Sequence, residues 1–273
     1  MKGVFIFPST IRGCFKSSVF LIFLTLFLNQ ALAQKPQVQW LQKKSRHFIV
    51  YHRQEAIPAD IKQILRTAED YYEEIVESLG FRRFDFWTWD NRCKIFLYLS
   101  QDEYYNDTEQ PKWSAGGVVV DERKISTYTQ GEDFLDAVLP HEMGHLIFRE
   151  FVGQKKKLPL WLDEGVACLN EIKYKAERLS AAKRLVKLNR YIPLSMLNRM
   201  NDPKTIILTK AFYAQSASVV NFLVTEFGDN AFFEFSRKIR DHQPWESALK
   251  DVYGFISMEE LDKAWAASLR NEN

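Results

Sequence analysis

Apolar residues recur at every third or fourth position over long parts of this chain and alternate with polar ones over shorter parts. The helical rhythm runs from Pro58 to Leu79, opened by a proline in its first turn and closed by Gly80. It returns from Lys210 to Phe227 and stops at Gly228, after which Asp229 can cap a further helix through Ile239. Ser257-Met258-Glu259-Glu260 is a capping box that opens a last helix, running to about Leu269. The extended rhythm marks His47–Tyr51 and Cys93–Leu99 as strands, and Ser114–Val120 with Arg123–Thr129 as a hairpin around Asp121-Glu122. Between these regions Val138, Met143, Leu146, Ile147 and Phe151 share one stripe of a helix that ends at Gly153. Pro140 lacks an N–H and should start or kink that helix just ahead of His141. Trp161 to about Val186 reads as one long helix or two. The pattern therefore predicts an α+β protein: a small mixed sheet lobe with one buried helix over 34–153, then an all-helical lobe over 154–273.

The first 33 residues follow neither rhythm. They carry Lys2, Arg12 and Lys16, no acidic residue, an apolar run from Val19 to Leu28 and then Ala31-Leu32-Ala33. The run is short for a bilayer span, and the small-residue end fits a cleavage site, so a signal peptide removed before Gln34 is expected. An uncleaved amino-terminal anchor is the other reading. Either way the chain is expected to be exported, to a periplasm or the extracellular space. No other stretch is apolar enough to span a membrane, so none is expected after signal removal.

Removal changes the charge picture. The 37 basic residues lose three and become 34 against 35 acidic ones, so the formal charge passes from +2 to −1. No basic patch remains to argue for a nucleic-acid partner. Cys93 and Cys168 stay in the mature chain, and an exported compartment permits either a disulfide or two buried thiols.

The chemistry concentrates on the central helix. It carries His141-Glu142-Met143-Gly144-His145, two of only five histidines in the chain. Positions i and i+4 share a helix face, so both imidazoles can meet one ion while Glu142 holds a water beside it. A catalytic zinc usually takes three protein ligands. Eighteen residues, 146–163, separate His145 from Glu164, which lies in Trp161-Leu162-Asp163-Glu164-Gly165-Val166-Ala167. The loop Lys155-Lys156-Lys157-Leu158-Pro159 can return that segment to the first helix. His141, His145 and Glu164 are thus candidate ligands for one Zn²⁺ per chain, and Glu142 is the candidate general base.

Residues 141–171 resemble the gluzincin metallopeptidases, and the W-L-x-E-G-x-A wording is similar to the aminopeptidase N-like branch. Over about residues 40–270 the layout resembles the compact bacterial peptidase MA-like domain family. The resemblance implies a zincin-like architecture, with the metal helix between a sheet lobe and a helical lobe. It also implies a role for Glu171, seven positions after Glu164 and so two turns along the same helix face, in accepting the free ring N–H of a ligand histidine. Tyr213, in a Tyr-x-Gln-Ser segment like that of peptidase MA-like domains, is implied as a donor to the charge that develops on a scissile carbonyl. Gly116, Gly117 and Val118 lie where gluzincins place a glycine-rich, substrate-facing edge strand. The aminopeptidase branch continues that strand with Met-Glu-Asn, which recognises a free amino terminus. This chain has Val118-Val119-Val120 instead. The expected function is an exported zinc-dependent peptidase acting on a peptide or protein. The competing class is a zincin-fold binding or scaffolding module that keeps metal without turnover.

Overall fold

The computed structural model describes residues 39–55, 58–110, 114–129, 133–201 and 206–271; the expected signal segment 1–33 lies outside them. The sheet has five strands: β1 (Leu41–Lys44), β2 (Phe48–His52), β3 (Cys93–Tyr98), β4 (Gly116–Val119) and β5 (Lys124–Tyr128). Their order is β1-β2-β3-β5-β4, with the central pairs β2/β3 and β3/β5 parallel and the outer pairs antiparallel. Parallel neighbours need a crossover. Helix α1 (Pro58–Ser78) supplies the one between β2 and β3. Its apolar positions Ile61, Ile64, Leu65, Ala68, Tyr72 and Ile75 keep the three–four spacing and are all buried.

The expected hairpin is present as β4 and β5, joined by a single 3-10 turn at Val120–Glu122. Strand β1 escaped the sequence pattern because its residues are mostly exposed, as an edge strand allows. Helix α2 (Gln101–Thr108) escaped it because only Tyr104 is buried; its start is fixed locally, by the Ser100 hydroxyl accepting from the Glu103 N–H at 3.2 Å.

The inner face of the sheet is closed by α1 and by α3 (Leu139–Val152), the central helix. Met143, Leu146, Ile147, Phe148 and Phe151 of α3 are 2% exposed or less. Each such side chain contributes roughly 1.5–3 kcal/mol by leaving water, so the helix is fixed in rotation as well as in place. Pro140 sits in its first turn, where its missing N–H costs nothing, and a π-helical turn at Phe134–Val138 leads in.

Beyond Gly153 every described element is helical: α4 (Leu160–Leu169), α5 (Lys175–Lys187), the short α6 (Leu194–Leu197), α7 (Ile206–Phe227), α8 (Asp229–Arg240), α9 (Trp245–Tyr253) and α10 (Met258–Asn271). The α+β reading stands, and the stretch 161–186 resolves into two helices. The cap of α8 is corrected: Gly228 occupies the cap position, and Asp229 is the first helical residue, its Oδ1 taking the Asn230 N–H at 2.8 Å.

Two glycines let α3, α4 and α7 close on one another. A methyl on Gly144 of α3 would meet the Ala167 Cα at 3.0 Å, and one on Gly165 of α4 would meet the Ser216 carbonyl oxygen at 2.5 Å. Both glycines lie beside candidate metal ligands in the chain, so the close helix contacts and the site are built by the same residues.

Candidate metal centre

Helix α3 presents His141 and His145 one turn apart, with ring centroids 4.9 Å from each other and the planes nearly perpendicular. Helix α4 brings Glu164 to both: its Oε2 is 3.7 Å from His141 Nε2 and 3.6 Å from His145 Nε2. One ligand atom from each of the three residues falls within 4.8 Å of the others. Ligands bonded at about 2.0–2.1 Å around a tetrahedral ion lie roughly 3.3 Å apart, so these separations match a zinc-type set. Two imidazoles and one carboxylate are also the donor chemistry that zinc takes.

Glu171 reaches the other side of His141. Its Oε1 lies 2.8 Å from Nδ1, and the residue is 3% exposed. Its location is corrected. Helix α4 ends at Leu169, so Glu171 lies in the turn beyond it and not two turns along the same helix face. Arg178 of α5 grips Glu171 through two bonds, Nε to Oε2 at 2.7 Å and Nη2 to Oε1 at 2.9 Å. Burial pushes the Glu171 carboxyl up, but His141 and Arg178 outweigh it and hold it below the usual range.

The sequence reading passed over a second such group. His145 Nδ1 lies 3.5 Å from Asp163 Oδ1, and Arg149 grips both oxygens of Asp163, at 3.0 and 2.8 Å. Burial alone would raise the Asp163 carboxyl; His145 and Arg149 hold it well below the usual range. Burial likewise pulls the His145 imidazole down, and Asp163 and Glu164 together raise it well above its ordinary value. The signal for Arg149 was available: it stands four residues after His145, on the same helix face.

Glu142 faces the sheet. A methyl built on Gly116 would lie 3.4 Å from Glu142 Oε1 and 2.5 Å from Val138 Cγ1, so any larger residue would clash at that position. Gly117 points to the opposite side, toward the Tyr104 hydroxyl and Gln110, as strand alternation requires. Val118 packs against the core, and β4 is the outermost strand on this side of the sheet. Burial pushes the Glu142 carboxyl above its ordinary value; His141 and His145 oppose this, while Glu164 and Glu171 add to it.

Tyr213 of α7 is half-buried, with the Arg178 guanidinium over its ring at 5.6 Å. Burial and then the Glu164 carboxylate raise its phenol. Its neighbour Gln215 is structural: it exchanges two 2.8 Å hydrogen bonds with the backbone of Ile192. Cys93 and Cys168 are both buried free thiols, and the Cys168 sulfur lies 3.9 Å from His141 Nδ1.

No curated protein matches this chain significantly. Among solved structures it is similar to a two-domain M1 zinc metallopeptidase variant bound to L-arginine, at 13% identity and a TM-score of 0.46, covering 84% of this chain and 51% of that one. It is also similar to an M1 zinc metallopeptidase from Deinococcus radiodurans, at 15% identity and a TM-score of 0.45, covering 85% and 50%. The chain thus spans about half the length of these proteins. The sequence profile of the Peptidase MA superfamily matches residues 90–271, a stretch that takes in the metal helix, all three candidate ligands and the helices that follow, and the chain belongs to that superfamily.

Proposed function

We propose that the protein is an exported zinc-dependent endopeptidase. The observation that carries this reading is the convergence of His141, His145 and Glu164 at 3.6–3.7 Å, with Glu142 between that cluster and an edge strand. Zinc, when bound, supplies a Lewis acid that makes a water nucleophilic near neutral pH and polarises the scissile carbonyl. His141, His145 and Glu164 are the residues that would hold it, since their nearest atoms converge on one another. Glu142 takes a proton from the attacking water and returns it to the leaving amine nitrogen. Tyr213 donates its O–H to the charge that develops on the carbonyl oxygen.

The substrate lies extended along β4 and pairs with the outer edge of the sheet. Recognition of a free amino terminus needs a carboxylate aimed at an ammonium, and Val118, Val119 and Val120 supply none. Export is proposed from residues 1–33. Among the described residues no helix is long and apolar enough to cross a membrane. The test is digestion of a peptide library by residues 34–273, read by mass spectrometry with and without a chelator. Internal cleavage that disappears with chelator is expected; cleavage indifferent to chelator would overturn the reading.

A further inference from the structure

His145 stands between two consecutive carboxylates. Nδ1 is 3.5 Å from Asp163 Oδ1, and Nε2 is 3.6 Å from Glu164 Oε2. Successive residues of a helix point about 100° apart, so neighbours on α4 can reach opposite sides of one ring. Among the described residues Glu164, and not Asp163, brings a carboxylate oxygen within 4.8 Å of a ring nitrogen of both histidines. Arg149 separates their roles. It occupies both oxygens of Asp163, and its Nη1 donates to the Lys156 carbonyl oxygen at 2.8 Å. Among the described residues Glu164 pairs with the two imidazoles and with no guanidinium or ammonium group. A carboxylate held in a guanidinium fork is fixed in direction and its lone pairs are engaged, whereas Glu164 keeps an oxygen for a cation.

We propose that Asp163, held by Arg149, is the positioning residue for His145: it accepts the Nδ1–H and so fixes Nε2 toward the metal. This rests on the zinc reading above. The two ligand histidines are then steered by separate carboxylate–arginine pairs, His141 by Glu171 with Arg178 and His145 by Asp163 with Arg149. The pairs come from different elements. Arg149 belongs to the same helix as the histidine it serves, and its bond to Lys156 ties in the loop that returns α4. Arg178 belongs to α5 and holds the turn after α4. Displacement of one pair should therefore disturb one ligand and leave the other in place.

The test uses Asp163→Ala, Asp163→Asn and Arg149→Lys in residues 34–273, with three readouts. These are zinc affinity by chelator competition, the visible absorption of the Co²⁺-substituted protein, and the thermal unfolding of the metal-free protein. Asp163→Ala should weaken zinc about 10–100-fold and alter the cobalt bands, the usual cost of losing a partner behind a ligand histidine. Asp163→Asn should fall between it and the wild type, because its amide oxygen still accepts from Nδ1–H. Arg149→Lys keeps the charge but loses the fork, and should weaken zinc several-fold; it carries the test if Asp163→Ala does not fold. Wild-type zinc affinity and an unchanged cobalt spectrum in the folded Asp163 variants would overturn the assignment while leaving the zinc reading intact. A wild-type protein that takes up no zinc would overturn both.

Discussion

His47 and the pair His141–His145 are all set among carboxylates, yet their distances describe two different kinds of site. His47 is 1% exposed, with Nδ1 at 2.6 Å from Glu69 Oε2 and Nε2 at 2.9 Å from Asp85 Oδ1. Both ring nitrogens are within hydrogen-bond reach of a carboxyl oxygen. The ring also stacks on Tyr72 at 4.0 Å, and its backbone N–H goes to Glu69 at 2.9 Å. That histidine is fully committed to holding β2, α1 and the segment around Asp85 together. At the candidate centre His141 commits Nδ1 to Glu171 at 2.8 Å, His145 has Nδ1 3.5 Å from Asp163, and both rings turn Nε2 toward a shared oxygen at 3.6–3.7 Å. Those lengths are too great for hydrogen bonds and right for two bonds to one ion. A histidine among carboxylates is thus not yet a metal ligand; the division of labour between its two nitrogens decides.

The largest expected effect follows from that division. His141→Ala or His145→Ala should reduce zinc from one per chain to none, whereas His47→Ala should leave it at one. Elemental analysis of the purified variants checks this, and unchanged metal in both site variants would erase the distinction.

Next come the two glutamates, which the comparison separates by partner. Glu164→Ala removes a ligand and should weaken zinc binding itself. Glu142→Gln should keep zinc and lower kcat by about 10²–10⁴-fold, the range for a general acid–base group. Turnover of Glu142→Gln at the wild-type rate would show that another group moves the proton.

At His47 the expected effect is on stability. Breaking a buried pair costs about 3–5 kcal/mol; here the lower end applies, since Asp85 is half exposed and solvent screens it. Glu69 is raised by burial but lowered more by its bonds to His47 and Ser45, and Asp85 is lowered chiefly by His47. Carboxyls whose folded pKa lies below the unfolded value stabilise the fold above the ordinary carboxylate range. They lose that contribution as pH falls through the lowered values, below about pH 4. His47→Gln should therefore unfold more easily at neutral pH and show a flatter acid limb in denaturant titrations, both proteins being measured in chelator. An acid limb as steep as the wild type's would show that the lowering does not come from His47.

How much was legible in the sequence follows the same logic of partners. The buried stripe of α3, the shared face of His141 and His145 and the buried face of α1 were readable because helix spacing alone puts those residues together. Glu171 was singled out, but as part of a helix that in fact ends two residues earlier, since sequence spacing does not show where Asn170 closes the last turn. Asp163 and Arg149 were missed although both lie beside residues that were named. The pairing of the two shows when α4 is laid against α3, and that contact depends on Gly144, which as a letter looks like an ordinary helix glycine. The exposed β1 and α2 bury too little to leave a pattern.

The smallest expected effect is the one that best tests how complete this accounting of carboxylates is. An aminopeptidase needs an acidic group in its cleft with no protein partner, because the substrate's ammonium must be that partner. Around this centre the described carboxylates are already engaged. Asp163 is held by Arg149, Glu171 by Arg178, and Asp133 by Lys173 and Tyr174. Glu142 and Glu164 belong to the proposed chemistry. Asp121 and Glu122 lie in the 3-10 turn past the end of β4, where the strand pairs Val119 with Lys124, while Gly116 at the other end faces Glu142. Nothing in that arrangement distinguishes a charged amino terminus from a neutral one. Acetylating a peptide's amino terminus should therefore leave its cleavage rate within about twofold, measured on matched peptide pairs by mass spectrometry. A loss of rate of 10-fold or more, together with release of single amino-terminal residues, would mean that one of these engaged carboxylates exchanges its protein partner for the substrate.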